Sequence, residues 1–362
     1  MKGKVAVMSE PGKLSFAEYG LPDPGAGAVL VKVIRTNVCG SELHIWQGHH
    51  PTKKSGVMGH EMVGEIAALG EGVVTDYAGN PVQIGDRVAA AYFITCRKCA
   101  PCQQGQMNLC ENAYKHWVKD PEEAPHFHGT FGTHYYLPPD QYFYKVPDNV
   151  PDSAAASANC ALSQVYFGID KTGVRCGDTV VIQGAGGLGL NASAVAKEYG
   201  ATVIVIDSVT SRLEKARQFG ADHVVHMGEY DTVEKRVKAV QELTGGKGAD
   251  VCMELTGVPA ALNEGVNLLR YGGKYISIGN ISPGQMTPFD PGLMTRKALT
   301  IYSYMRYDPW YLNKALQFIS KNIEKYPFDE LLDAEFDLED VNIALDKSAA
   351  REITRATIVA NR

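Results

Sequence analysis

The chain has 362 residues, room for two domains at roughly 100–200 residues each, and this excludes a small stapled scaffold. With 45% hydrophobic and 21% charged residues it has the composition of a packed globular protein, neither disordered nor fibrous. Lys and Arg number 35 against 41 Asp and Glu, a formal charge of −6, and no basic run offers a phosphate-tracking stripe, so the sequence argues against a nucleic-acid partner.

The first residues reach Glu10 and Pro11 after only a few apolar positions, too few for a signal-peptide core, and no window approaches 18 uninterrupted apolar residues. The expectation is a cytoplasmic protein with no membrane partner. In that reducing compartment eight cysteines read as metal or redox groups, not disulfides.

The alternating Val29, Val31 and Val33 predict a strand over 29–34. It leads into a turn bearing Cys39, Ser41 and His44, and His60 with Glu61 follows further on. Taken singly each is ordinary: a lone Cys is usually a small hydrophobe, Ser41 a turn cap, and His44 a surface residue.

Cys96, Cys99, Cys102 and Cys110 form C-x2-C-x2-C-x7-C in a segment rich in Gln, Gly and Pro. Short loops can wrap four thiolates around one tetrahedral Zn²⁺, and with no open position such a site is structural. A cluster of free thiols and an iron–sulfur site are the alternatives. Pro101 follows the second cysteine by two positions and no proline follows the fourth, which favours zinc. The segment from Glu111 to His128 is long and aromatic, suited to lining or covering a cleft. Its His126 and His128, with His134, lack a matching carboxylate and read as hydrogen-bonded residues more than as a third metal site.

In the second half a strand over 178–183 is followed by Gly184-Ala-Gly186-Gly187-Leu188-Gly189, an alanine-rich helix to 199, a strand over 202–206 and Asp207. Strand, glycines, helix, strand and acid stand in the order of a dinucleotide-binding βαβ unit. The glycines allow a tight turn and close approach to a pyrophosphate, whose charge suits the helix N-terminus. A tight turn without a ligand is the plain alternative. Further strands at 220–225, 248–254 and 273–279 alternate with helices near 209–218, 232–243 and 259–270, predicting a doubly wound parallel sheet. Asp207 should accept hydrogen bonds from the adenosine ribose and favour NAD over NADP. Arg212 is the counter-argument, since a guanidinium can bind a 2′-phosphate, though beside Asp207 it suits stacking on adenine.

Together the Cys-Gly-Ser-x-x-His turn, the Gly-His-Glu, the cysteine-rich lobe, Cys160 and the mid-chain nucleotide unit resemble the zinc-dependent medium-chain alcohol dehydrogenase family over essentially the whole chain. The resemblance implies an α/β protein: a doubly wound Rossmann domain plus a mainly β, partly open barrel-like catalytic domain. It implies catalytic residues 1–160 with a structural zinc lobe at about 93–113, a dinucleotide-binding domain at 161–300, and a return to the catalytic domain at 301–362. It implies two Zn²⁺ per chain and NAD. Cys39, His60 and Cys160 match the catalytic zinc ligands, with Glu61 either a fourth ligand or a carboxylate just outside the metal. Cys96, Cys99, Cys102 and Cys110 match the structural zinc, and Ser41 and His44 match the proton relay. Gly184, Gly186, Gly187, Leu188, Gly189, Asp207 and Arg212 fall to the cofactor, as does Arg355, matched to a position that neutralises the pyrophosphate. Glu42 stands where relatives more often have Asp holding the zinc-bound imidazole, and its extra methylene puts that geometry in question.

The activity so implied is hydride transfer between an alcohol and NAD, giving a ketone or aldehyde. Two thiolates and a neutral imidazole balance Zn²⁺ and leave one position for a substrate oxygen, whose proton the metal makes easier to lose. Trp46, His49, His50, Tyr92 and Phe93 lie near pocket positions of the family and suit a bulky or cyclic secondary alcohol better than ethanol, unless they are simply core. A zinc polyol, threonine or aldehyde-adduct dehydrogenase is the neighbouring alternative, and a non-catalytic nucleotide-binding zinc protein the alternative of another class. Zinc-free quinone reductases lack both ligand sets. Relatives form homodimers or homotetramers through edge strands, for which 299–304 is a candidate.

Overall fold

The computed structural model describes residues 1–50, 53 and 55–361. Contacts divide the chain into two compact units: Met1–Ser163 with Asp308–Ile323 and Phe328–Arg362, and Gln164–Tyr307 with Glu324–Pro327.

The first unit is mainly β. Its larger sheet runs Ala334–Asp337, Ala356–Val359, Val29–Asn37, Glu61–Leu69, Arg87–Ile94, Gln141–Lys145, with His134–Leu137 also pairing with Val29–Asn37. The predicted strand at 29–34 continues to Asn37. Its inward side chains, Val29, Val31 and Val33, pack against Met62, Ile66, Val88 and Phe143. A second core joins Val38, Ile45, Met58 and Trp117 to Val341, Leu345 and Ile358 of the last sixth of the chain. Early and late segments thus share one hydrophobic interior. A separate small sheet pairs Lys2–Glu10 with Lys13–Gly20 and Gly56–Val57.

The second unit is a doubly wound sheet of six parallel strands. In spatial order they are His223–His226, Thr202–Asp207, Thr179–Gln183, Ala249–Glu254, Leu269–Ser277 and Thr300–Ser303. The helices Gly187–Glu198, Thr210–Gln218, Val233–Leu243 and Ala261–Leu268 connect them. The strands are near-continuous runs of Val and Ile, as a parallel sheet covered on both faces requires. The order reverses between Thr179–Gln183 and Ala249–Glu254, and such sheets bind ligands outside the C-terminal ends of the strands at that point. Among the described residues no helix is long and apolar enough to cross a membrane.

Candidate metal and nucleotide sites

The expected turn after Asn37 is a short helix, Gly40–Trp46, with Cys39 as its extended N-cap and Glu42 in its first turn, where a carboxylate suits the dipole. Cys39 sits at one end, and Ser41 and His44, three positions apart, share a helix face. His60 and Glu61 come from the start of the neighbouring strand Glu61–Leu69, which pairs Glu61 with Asn37. Cys160 arrives 121 residues after Cys39 in a single π-helical turn, Ala158–Leu162, a form often found at functional sites. Two bonds from Asn159 pin that turn: its Nδ2 donates to His60 O at 2.9 Å and to Ala90 O at 2.8 Å.

The ligating atoms of Cys39, His60, Glu61 and Cys160 lie within 4.8 Å of one another. The Cys39 and Cys160 sulfurs are 3.8 Å apart, far beyond a disulfide and close to the edge of a tetrahedron with metal–sulfur bonds of about 2.3 Å. Glu42 Oε1 stands 2.6 Å from His60 Nδ1, so the longer side chain reaches the imidazole and leaves Nε2 for a metal. The donor set therefore fits zinc.

Buried charge shapes the cluster. The bond to Cys160, aided by His60, draws the Cys39 thiol well below its ordinary range, while the same bond and burial push Cys160 well above it. Burial pulls the His60 imidazole down, but the Glu42 carboxylate and Cys39 outweigh it and hold the ring well above its usual value. Metal binding would release these protons. Glu61 is wholly buried, and burial, offset by Arg355, pushes it up to about 7. Both its oxygens pair with the Arg355 Nη2, and Oε2 accepts from Asn37 Nδ2 at 3.1 Å.

The sequence reading matched Arg355 to a pyrophosphate; the structure also commits it to the metal cluster. Its Nε is buried with no hydrogen-bond partner among the described residues.

Two further residues escaped the sequence reading. Trp117 packs edge-on to His60, with ring centroids 6.4 Å apart, and Tyr92 stands at 5.1 Å on the same imidazole. Lys53 is buried, donating to Val57 O and to Trp117 O at 2.7 Å, with its ammonium 4.5 Å from the Trp117 ring. Burial brings it down to about 7. It binds the 111–128 segment beside the metal cluster, a role that a lysine among polar neighbours does not announce. Phe93, by contrast, is buried core, and His50 meets the Trp117 ring edge-on.

The lobe cysteines also converge within 4.8 Å. Cys99 caps the helical turn Ala100–Gln103, and the Cys99 and Cys110 sulfurs are 4.0 Å apart. The Cys96 sulfur accepts from Cys99 N at 3.4 Å and Asn112 Nδ2 at 3.3 Å, and Cys110 Sγ accepts from Cys96 N at 3.3 Å. Burial raises Cys96, but backbone N–H groups outweigh it and bring the thiol to about 6, whereas burial pushes Cys102 up to about 12. His126, His128 and His134 bond instead to Pro121 O, Glu123 O and Thr133 Oγ1.

In the nucleotide unit Gly184 has φ +98°, a conformation that favours glycine. A Cβ at Gly189 would lie 1.9 Å from Gly184 O, so only glycine lets the helix Gly187–Glu198 pack so near the strand; at Gly186 the space is open. Gly187 and Leu188 form the first turn of that helix. Asp207 ends its strand with Oδ2 accepting from Ala185 N at 2.7 Å and Oδ1 from Val209 N at 2.9 Å, tying the glycine loop to the acid. Arg212 lies, part-exposed, in the first turn of the next helix.

Residues 25–148 match the alcohol dehydrogenase GroES-like domain and residues 187–321 the zinc-binding dehydrogenase domain. The chain belongs to the zinc-dependent medium-chain alcohol dehydrogenase family. It is an oxidoreductase that uses zinc and passes hydride between an alcohol and NAD. It is 34% identical to 5-exo-hydroxycamphor dehydrogenase of Pseudomonas putida over 98% of both chains. It is 34% identical to L-threonine 3-dehydrogenase of Pyrococcus horikoshii over 88% of this chain and 89% of that one. The solved structure of an alcohol dehydrogenase from Thermotoga maritima matches with a TM-score of 0.93 at 30% identity, covering all of both chains.

Proposed function

We propose that the chain oxidises a bulky or cyclic secondary alcohol with NAD at a zinc held by Cys39, His60 and Cys160. The observation that carries this is the cluster itself: two sulfurs at a tetrahedral edge of 3.8 Å beside an imidazole oriented by Glu42. When bound, the metal supplies Lewis acidity at the substrate oxygen and NAD the hydride acceptor. The chain's own residues do the rest. Glu42 holds His60 by Nδ1 and fixes its tautomer. Arg355 and Asn37 keep the Glu61 carboxylate beside the ligands as a counter-charge. Ser41 takes the hydroxyl proton from the substrate, and His44, on the same helix face, hands it to solvent. Cys96, Cys99, Cys102 and Cys110 hold a second, structural zinc.

The glycine loop and Asp207 bind the adenosine half of the cofactor, and the carboxylate disfavours a 2′-phosphate. Tyr92 and Trp117, flanking His60, give the substrate apolar walls and exclude water, which suits a rigid ring, and the relative named for hydroxycamphor supports that class. The strand Thr300–Ser303 is the last of its sheet among the described residues, and its outer edge supports pairing with a second copy in a homodimer or homotetramer.

Initial rates of NAD reduction across aliphatic, cyclic, aromatic and polyhydroxy alcohols, L-threonine and aldehyde–thiol adducts test the reading. Cyclic secondary alcohols should give the highest kcat/KM. Preference for a polyol, threonine or an adduct would refute the substrate class, and no turnover by zinc-loaded protein would leave a nucleotide-binding zinc protein.

A further inference from the structure

One carboxylate outside these sites closes the ligand-binding end of the second half of the parallel sheet. Glu254, the last residue of the strand Ala249–Glu254, is 2% exposed. Its Oε1 accepts from Thr256 N at 2.7 Å, Gly257 N at 2.7 Å and the Thr256 hydroxyl at 2.9 Å. Its Oε2 accepts from Asn280 N at 3.0 Å, in the loop after the neighbouring strand. One side chain therefore clamps together the loops that leave two adjacent strands.

The surroundings are built to this clamp. A Cβ at Gly279 would lie 2.7 Å from Glu254 Oε1, and Gly257 has φ +74°. The Thr256 hydroxyl in turn accepts from Val258 N at 3.0 Å, and a Cβ at Gly184 would lie 2.9 Å from Thr256 Cγ2, so the clamped loop forms a wall of the glycine turn. Glu254 pairs in register with Gln183, across the point where the strand order reverses.

Dinucleotides lie across that crevice with one mononucleotide on each half of the sheet. Asp207 stands on the half that takes adenosine, which leaves the loops held by Glu254 to the other. Resting on the assignment of NAD as cofactor, we propose that Glu254 is a positioning residue for the nicotinamide half: it sets the loops 255–258 and 279–280 that receive that half, and acts through them without touching the cofactor.

Binding to the purified zinc-loaded protein separates the halves. NADH is titrated by its fluorescence, and ADP-ribose, which lacks nicotinamide, by competition, for wild type, Glu254→Gln and Thr256→Ala. The amide in Glu254→Gln turns one acceptor into a donor that faces backbone N–H groups, so the loops lose their clamp while the shape is kept. The expected result is an NADH Kd raised on the order of tenfold with that for ADP-ribose changed less than about twofold, and an intermediate NADH loss in Thr256→Ala. Equal weakening of both ligands, or none, overturns the proposal and leaves Glu254 a structural clamp. Should Glu254→Gln fail to fold, the Thr256→Ala ratio decides in the same way. A wild type that binds neither ligand would instead refute the dinucleotide reading.

Discussion

Replacing Arg355 with Met tests whether the metal cluster depends on its buried counter-charge. The guanidinium is 8% exposed and pairs with both carboxylate oxygens of Glu61, a residue with no exposure at all whose carboxylate otherwise accepts only the Asn37 amide among its described bonds. Met keeps most of the side-chain volume and removes the charge, leaving a buried carboxyl beside Cys39, His60 and Cys160 without its cation. Removing one partner of such a pair costs about 3–5 kcal/mol, whereas replacing both by neutral groups costs little or nothing. At roughly 2–4 °C per kcal/mol the apparent Tm of Arg355→Met should fall by about 6–20 °C. Arg355→Met with Glu61→Gln should recover most of that loss. Thermal unfolding of zinc-loaded protein, followed by tryptophan fluorescence, gives the double-mutant cycle. A single variant within about 1 kcal/mol of wild type, or a double variant no more stable than Arg355→Met, would refute the argument that this pair holds the buried Glu61 carboxyl.

The two metal sites should respond differently to ligand loss. Cys160→Ala should abolish turnover and leave one zinc per chain by elemental analysis, while Cys102→Ser should lower thermal stability, since metal binding there is folding energy. Cofactor choice should follow Asp207: wild type prefers NAD by at least about tenfold in kcat/KM, roughly 1.4 kcal/mol, and Asp207→Gly loses most of that preference. A wild type preferring NADP would assign the discrimination to Arg212. Burial brings His128 down to about 4, below its unfolded value of about 6.5, so the unfolded chain binds more protons between these limits and stability falls as pH drops through that window. After a discount for solvent screening the loss is about 2 kcal/mol, and His128→Asn should flatten denaturant midpoints measured from pH 7 to 4. An undiminished slope would assign the acid sensitivity to other groups.

Local patterns were the legible part of this molecule. The lobe cysteines fall within 15 consecutive residues, and glycines, helix and acid follow one another along a single βαβ unit, so both could be recognised from spacing. The Val and Ile runs marked the parallel strands to within a few residues. What spacing could not supply was partnership across the chain. Cys160 reaches Cys39 only through a π-helical turn held by Asn159, and nothing in Ser157-Ala-Asn-Cys160 signals that geometry. The reach of Glu42 to His60 was in question because a methylene matters only once two elements have been placed. The helix Gly40–Trp46 was read as a turn because its seven residues are too few for a clear period.

The pairing of Glu61 with Arg355 also sets a timetable. The two residues are 294 positions apart, and the strand that follows Arg355 lies against the one that carries Asn37 and leads to Cys39. At translation rates of about 5–20 residues per second, some 15–60 s separate the synthesis of the acid from that of its counter-charge. Through that interval Cys39, joined part-way by Cys160, stands without the cation that neutralises the neighbouring Glu61. The strands of the parallel sheet, all made before residue 304, have their hydrogen-bonding partners before Arg355 is made. The cluster of Cys39, His60, Glu61 and Cys160 thus gains its buried counter-charge only when the chain has reached Arg355, after the strands of the parallel sheet.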